Sequence, residues 1–210
     1  MKYFSKQNIK ELNHLFKINL IDSCSGFKSA NLIGTQDNLG KTNVAIFSSV
    51  IHMGSEPPVF GVLFRPTSVP RNTYEKIKQT GFYTINHIYE AIIEDAHHTS
   101  AKYSKEQSEF DVTTLEKEFK NKFNAPFVKY CPIQIGLKYL EEYYIKVNDT
   151  ILVVGEIQAL YIDDKLLLDD GFIDLSTGKV VAINGLDGYV KTNLIDRLNY
   201  QRTKAITPFN

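Results

Sequence analysis

Cysteine is scarce in this chain of 210 residues: only Cys24 and Cys131 are present, 107 positions apart. No CxxC pair exists, so neither a zinc ribbon nor a dithiol redox motif can be assembled; two buried, reduced thiols in a cytoplasmic protein are expected. A surplus of charge is lacking too. The 24 basic and 24 acidic residues cancel, which argues against a general nucleic-acid or acidic-membrane binder, since either needs a basic excess. No stretch approaches the roughly 20 apolar residues of a membrane-spanning helix, and the opening MKYFSKQNIKELNHLF alternates charged with apolar residues.

Familiar catalytic motifs are missing as well. No GxGxxG follows a strand pattern and no GxxxxGK[ST] occurs, so neither a dinucleotide fold nor a P-loop is supported. There is no GxSxG and no cysteine beside a base for nucleophilic catalysis. His97 and His98 are adjacent, which on a helix puts them on different faces, and His14, His52 and His87 stand alone, so no metal site is expected. The pairs Asp163-Asp164 and Asp169-Asp170 flank a leucine run, but DDGFID lacks the alternating oxygen ligands and closing Glu of a calcium loop. They read as solvated turns. The Gly-rich turn at 185–190 carries Tyr189, which with Tyr200 reads as core or pocket wall.

What is present is an ordinary core-forming composition, 43% hydrophobic and 12% aromatic, in a length that suits one domain over 1–210. Ser5 and the spacing of Ile9, Leu12 and Phe16 predict a helix over 5–16. Strand patterns follow at 18–23 and 28–35, then a hairpin turn at 36–40, then strands at 42–50 and 58–65 separated by Gly54 and Pro57-Pro58. A helix capped by Asn72 or Thr73 and stopped by Gly81 leads into a strand at 82–88. Residues 88–107 read as helix and then loop, and 111–126 as a polar surface excursion of unassigned role. Long strands at 133–147 and 150–162 turn at Asn148-Asp149; a short strand near 179–184 and a helix near 191–200 close the chain. Many strands, few helices and hairpin-length connections point to an antiparallel barrel with peripheral helices.

Two clusters carry candidate chemistry. Arg65, Thr67, Ser68, Arg71, Asn72 and Thr73 gather guanidinium and hydroxyl donors just before a helix start, which is what a phosphate requires; a solvated strand-to-helix loop is the plain alternative. In GKTNVAIFSSVIHMGSEPPVFGVLFRP (40–66), Asn43, Ala45, Phe47 and Ser49 share one strand face and Ser48 takes the other. A face of small, half-polar residues can lie against a planar ligand, and an edge strand with one wet face is the alternative.

Taken in order, GKTNVAIFSSVIHMGSEPPVFGVLF, RNTYEKIKQTGFYTIN and ILVVGEIQALYID resemble the flavin reductase-like family with an FMN-binding split barrel, over about 28–190. The family shows a G-x-x-N-x-A-x-x-S strand, a Pro-Pro turn, a [KR]-[DN]-T-x-x-x-I helix start, an F-x-x-N strand and a G-E-[VI] strand. The resemblance implies a mainly β, six-stranded antiparallel Greek-key split barrel, a homodimer, and FMN near the subunit interface. It implies that Asn43, Ala45, Phe47 and Ser48 meet the flavin ring and that Arg71 and Thr73 hold the phosphate, with Arg65 as a further cation. Asn86 matches the Asn of F-x-x-N close to the flavin strand, and Thr99-Ser100 lies in a segment that approaches the site. Many NAD(P)H-using relatives carry G-D-H before the late strand; here Asn148-Asp149-Thr150 stands in that place. The resemblance therefore carries FMN across but not the nicotinamide contact.

In such a protein the flavin performs the redox step, which accounts for the missing triad, carboxylate pair and metal cluster. The expectation is an FMN-dependent NAD(P)H:flavin oxidoreductase serving free flavin or a partner monooxygenase. A flavoredoxin-like electron carrier without a nicotinamide site and a non-enzymatic ligand-binding barrel are the alternatives.

Overall fold

The computed structural model describes residues 1–203. Helices α1 (Lys6–Glu11) and α2 (His14–Cys24) open the chain. The expected helix over 5–16 is therefore two, broken where Leu12 turns extended and Asn13 starts the second by accepting from the Leu15 amide at 3.0 Å. The strand expected at 18–23 is part of α2. Its apolar residues find no neighbouring strand, and neither helix has a buried residue.

Strands β1 (Lys28–Ser29), β2 (Asn31–Gln36), β3 (Thr42–Phe47), β4 (Val50–Ser55) and β5 (Pro58–Phe64) follow, then α3 (Asn72–Thr80) and β6 (Phe82–His87). After a short 3-10 turn come α4 (Ile93–His98), β7 (Lys117–Glu118), β8 (Phe127–Val128), β9 (Ile133–Ile145), β10 (Thr150–Ile162), β11 (Val181–Asn184) and β12 (Gly188–Lys191). The turn expected at 36–40 falls one residue later, at 37–41 between β2 and β3, and the Asn148-Asp149 turn joins β9 to β10 as expected. β4 and β12 were hidden, β4 because His52, Gly54 and a bulge interrupt its alternation. The helix expected near 191–200 is absent: past β12 the chain runs as an irregular strap, with the Leu194 amide bonded to Ser176 Oγ at 2.7 Å. The tail beyond 203 lies outside the described residues.

The main sheet runs β3-β2-β6-β9-β10-β5-β4, every neighbouring pair antiparallel. Laid flat, its seven strands would hold β3 and β4 about 29 Å apart at roughly 4.8 Å per step. Yet only Ser48 and Ser49 join β3 to β4, and three residue steps span at most about 11 Å. The sheet must roll until its edges nearly meet. No ladder joins β3 to β4, so the roll stays open along one seam, which makes it a mainly β split barrel with β4 as a seventh strand.

The barrel interior holds Ile33, Val62, Phe64, Tyr83, Ile85 and Leu137, and α3 closes one end with Ile77. Gly155 sits at a bulge of β10 where a Cβ would come within 2.2 Å of Tyr83 Oη. A second core, including Leu32, Val44, Ile88 and Ala96, lies outside β2 and β3. The segment 111–126 is not a free surface excursion: Thr84 Oγ1 donates to Pro126 O at 2.6 Å, and Leu115 is buried. Cys24 is exposed, contrary to expectation, because α2 packs nothing over it; Cys131 is buried, and that burial pushes its thiol up to about 12. No helix among the described residues is long and apolar enough to cross a membrane.

Candidate functional site

The seam of the barrel brings the two sequence clusters together. Ser49 ties β4's start to β5: it accepts from the Leu63 amide at 3.1 Å and donates through Oγ to Leu63 O at 2.8 Å. Phe47 meets Phe64 edge-on at 5.1 Å between centroids. Ser48 therefore lies beside the end of β5, where Arg65 begins the loop into α3. From the far end of the same strand, Asn43 reaches Thr73 in the first turn of α3 at 3.2 Å.

That loop has the features of an anion site. Arg71 folds back so that Nε donates to Pro66 O at 3.1 Å, closing residues 66–71. Among the described residues its two Nη groups have no partner, and Arg65 pairs with no carboxylate. Thr67 and Ser68 are exposed. The start of α3 carries no side-chain cap, contrary to the expected Asn72 or Thr73 cap: Arg71 occupies the cap position and Thr73 is turned to Asn43. Uncapped N–H groups at a nine-residue helix carry partial positive charge into the same space.

The neighbouring cations are already neutralised. A groove of about 260 Å³ beside α3 is lined by Lys41, Lys76 and Lys105, but these pair with Glu106, Asp37 and Glu75. Lys76 holds the Asp37 carboxyl below its ordinary value. Asn72 lines this groove. Among the described residues, the loop's two arginines are thus left without a carboxylate while the lysines beside α3 are balanced.

Other expected residues have structural duties. With its amide oriented so that both ends find complementary partners, Asn43 donates to Glu109 Oε2 and accepts from Thr73 Oγ1, each at 3.2 Å. It is a strut that sets Thr73. Asn86 is fully buried and fully satisfied, donating to Leu32 O at 3.1 Å and Thr84 Oγ1 at 2.9 Å and accepting from the Val128 amide at 3.0 Å. Thr99 is buried with its hydroxyl on Ala96 O at 2.7 Å, and Ser100 is exposed; neither has a polar contact with the seam. Ala45 shares Phe47's face of β3, half-buried.

Glu109 escaped the sequence reading. It is buried, accepts from the Val44 amide at 3.1 Å, and has its carboxyl raised by burial. Sixty-five positions separate it from Val44, so no local signal marks it. At the β9–β10 turn, Asn148 Oδ1 accepts from Thr150 Oγ1 at 2.8 Å and Asp149 accepts from Tyr144. These side chains satisfy one another.

Similarity to known proteins agrees with the split-barrel fold. The family model described as flavin reductase like domain matches residues 25–200. A candidate flavin reductase with a split barrel domain from Shewanella frigidimarina NCIMB 400 is 48% identical, with 96% of this chain and 100% of that chain covered and a TM-score of 0.93. Two further structures share the fold at low identity. Nitrilotriacetate monooxygenase component B from Bacillus cereus has a TM-score of 0.81 at 16% identity, covering 94% and 98% of the two chains. Flavoredoxin of Desulfovibrio vulgaris (Miyazaki F) has 0.73 at 22%, covering 83% and 91%.

Proposed function

The chain belongs to the flavin reductase-like family, and from that premise we propose that it is an oxidoreductase that binds FMN along the barrel seam. The observation that carries the reading is the loop from Arg65 to the uncapped start of α3, whose two arginines have no anionic partner among the described residues. A phosphate there receives forked guanidinium donors, the Thr67 and Ser68 hydroxyls, and helix N–H groups at once. Asn43 holds Thr73 and thereby the first turn of α3. Ser48, a small residue at the seam, leaves room for a planar ring, and Phe47 is fixed as a wall by its contact with Phe64. When bound, FMN supplies the redox chemistry, accepting and releasing electrons at its ring. The protein's part is to place the ring, keep water from one face and orient what approaches the other.

In this reading NAD(P)H is the electron donor, and free flavin or a partner monooxygenase the acceptor. The name of the Bacillus cereus relative, a monooxygenase component B, supports an oxygenase partner. A homodimer belongs to the same proposal. Ile51 and Met53 of the edge strand β4 are exposed and converge with Leu152 of β10 over Gly61 of β5, where a second copy removes them from water. The self-satisfied Asn148–Thr150 turn favours a second reading, a flavin electron carrier without a nicotinamide site.

Anaerobic addition of NADH and NADPH to the FMN-loaded protein separates the two readings. Rapid bleaching of the flavin absorption supports the reductase. Bands that persist until dithionite is added support the carrier.

A further inference from the structure

A helix start can serve a phosphate only if its first turn keeps its place against the barrel. The middle of α3 is held by Ile77 in the interior and by the Lys76–Asp37 pair at 2.8 Å. The first turn has no side-chain cap, and its own side chains tie it down instead. Tyr74 Oη donates to Glu142 Oε1 on β9 at 3.0 Å, and Thr73 meets Asn43 on β3.

An amide can turn either end to a hydroxyl, so Asn43 alone does not define the second tie. Glu109 defines it. Its Oε2 accepts from the Val44 amide at 3.1 Å, and the same oxygen accepts from Asn43 Nδ2 at 3.2 Å. Asn43 Oδ1 is then left to the Thr73 hydroxyl, which donates to it at 3.2 Å. Glu109, Asn43 and Thr73 are all buried, so water does not compete for these bonds, and each is stronger for the low local dielectric.

Glu109 is itself fixed from behind. It opens the 3-10 turn Glu109–Asp111, and the next residue, Phe110, packs in the second core with Val44 and Leu115. Thr113 Oγ1 donates to Glu109 O at 2.7 Å. Burying a carboxyl costs free energy unless its oxygens find donors; here both donors belong to β3, at neighbouring residues 43 and 44. The carboxyl thus joins the second core, through one strand, to the start of α3.

We propose that Glu109 is a positioning residue for the phosphate site: through Asn43 and Thr73 it fixes the first turn of α3 against β3, where the helix N–H groups and the loop arginines converge. The inference rests on the FMN reading above.

The readout is phosphate preference, the ratio of riboflavin to FMN dissociation constants, measured by flavin fluorescence titration of the whole protein. Glu109→Leu should lower that ratio roughly tenfold, the worth of one ordered hydrogen bond, and leave riboflavin affinity nearly unchanged. Glu109→Gln keeps a carbonyl oxygen for both β3 donors and should stay within about threefold of the wild-type ratio. In Thr73→Val the relay is already cut, so adding Glu109→Leu should change the ratio no further. Should Glu109→Leu fail to fold, Glu109→Asp keeps the charge, withdraws the carboxylate from Asn43 and is scored by the same ratio. An unchanged ratio, an equal loss for both ligands, a loss as large in Glu109→Gln, or a full further loss in the Thr73→Val background would each overturn the proposal. Those results leave the wild-type preference for FMN standing; a wild-type protein with no such preference overturns the phosphate assignment and this inference together.

Discussion

Arg71 uses Nε to close its own loop through Pro66 O, and in the proposed site its two Nη groups face the phosphate. A charge-assisted hydrogen bond contributes about 1.5–3 kcal/mol, so Arg71→Ala should weaken FMN roughly 10- to 150-fold while riboflavin affinity hardly moves. Parallel titrations with both ligands check this, and an equal loss for the two removes Arg71 from the phosphate site. His87 gives a pH signature. Its pKa is near 4 in the fold, against an ordinary value of 6.5, so below pH 6.5 the unfolded chain binds the proton more readily than the folded one. Stability is unaffected by this group above about pH 6.5 and falls by up to about 1.4 kcal/mol per unit down to pH 4. Urea midpoints at pH 7.5 and 5 should differ less in His87→Leu than in the wild type; the same difference in both would place the titration elsewhere. At this scale Arg65, Arg71 and the serines were legible as candidates because they interrupt a strand or precede a helix. The roles of Asn43 and Glu109 were not, because each depends on a partner distant in sequence that the fold brings near.

Elements obey the same division. The long pair β9 and β10 could be read directly, since apolar alternation over 13 residues each and an Asn-Asp turn leave little choice. The helix α3 ends at Gly81, which takes φ 75°, as its position demands. α2 was misread as a strand because Ile18, Leu20 and Asp22 alternate only loosely, and the cap at Asn13 decides the matter locally. Within β10, Gly155 makes room for Tyr83, whose hydroxyl is buried without a partner. Gly155→Ala should therefore cost about 1–3 kcal/mol through overpacking, lowering the thermal midpoint by about 2–4 °C for each kcal/mol. Tyr83→Phe alone should cost little, and combined with Gly155→Ala it should recover part of the loss. Additive losses in calorimetry would show that the hydroxyl is not what the glycine accommodates.

For the whole molecule, two residues between β3 and β4 force a seven-stranded sheet to roll, and the seam that results is where the proposed flavin site lies. The sequence order of motifs pointed to this barrel, but the closure could not be read from any one of them. Apolar side chains left outside the roll, Ile51 and Met53 among them, set the expectation for assembly. Sedimentation should show a dimer at micromolar concentration that Met53→Lys converts to monomer; a wild-type monomer would contradict that arrangement. The most direct test of the central claim is a comparison of FMN with riboflavin by titration of the purified wild-type protein, followed by flavin absorption and fluorescence. FMN binding at least a hundredfold tighter than riboflavin is the expected result, since only FMN reaches Arg65, Arg71 and the start of α3. Equal affinities, or no flavin bound at all, would contradict it.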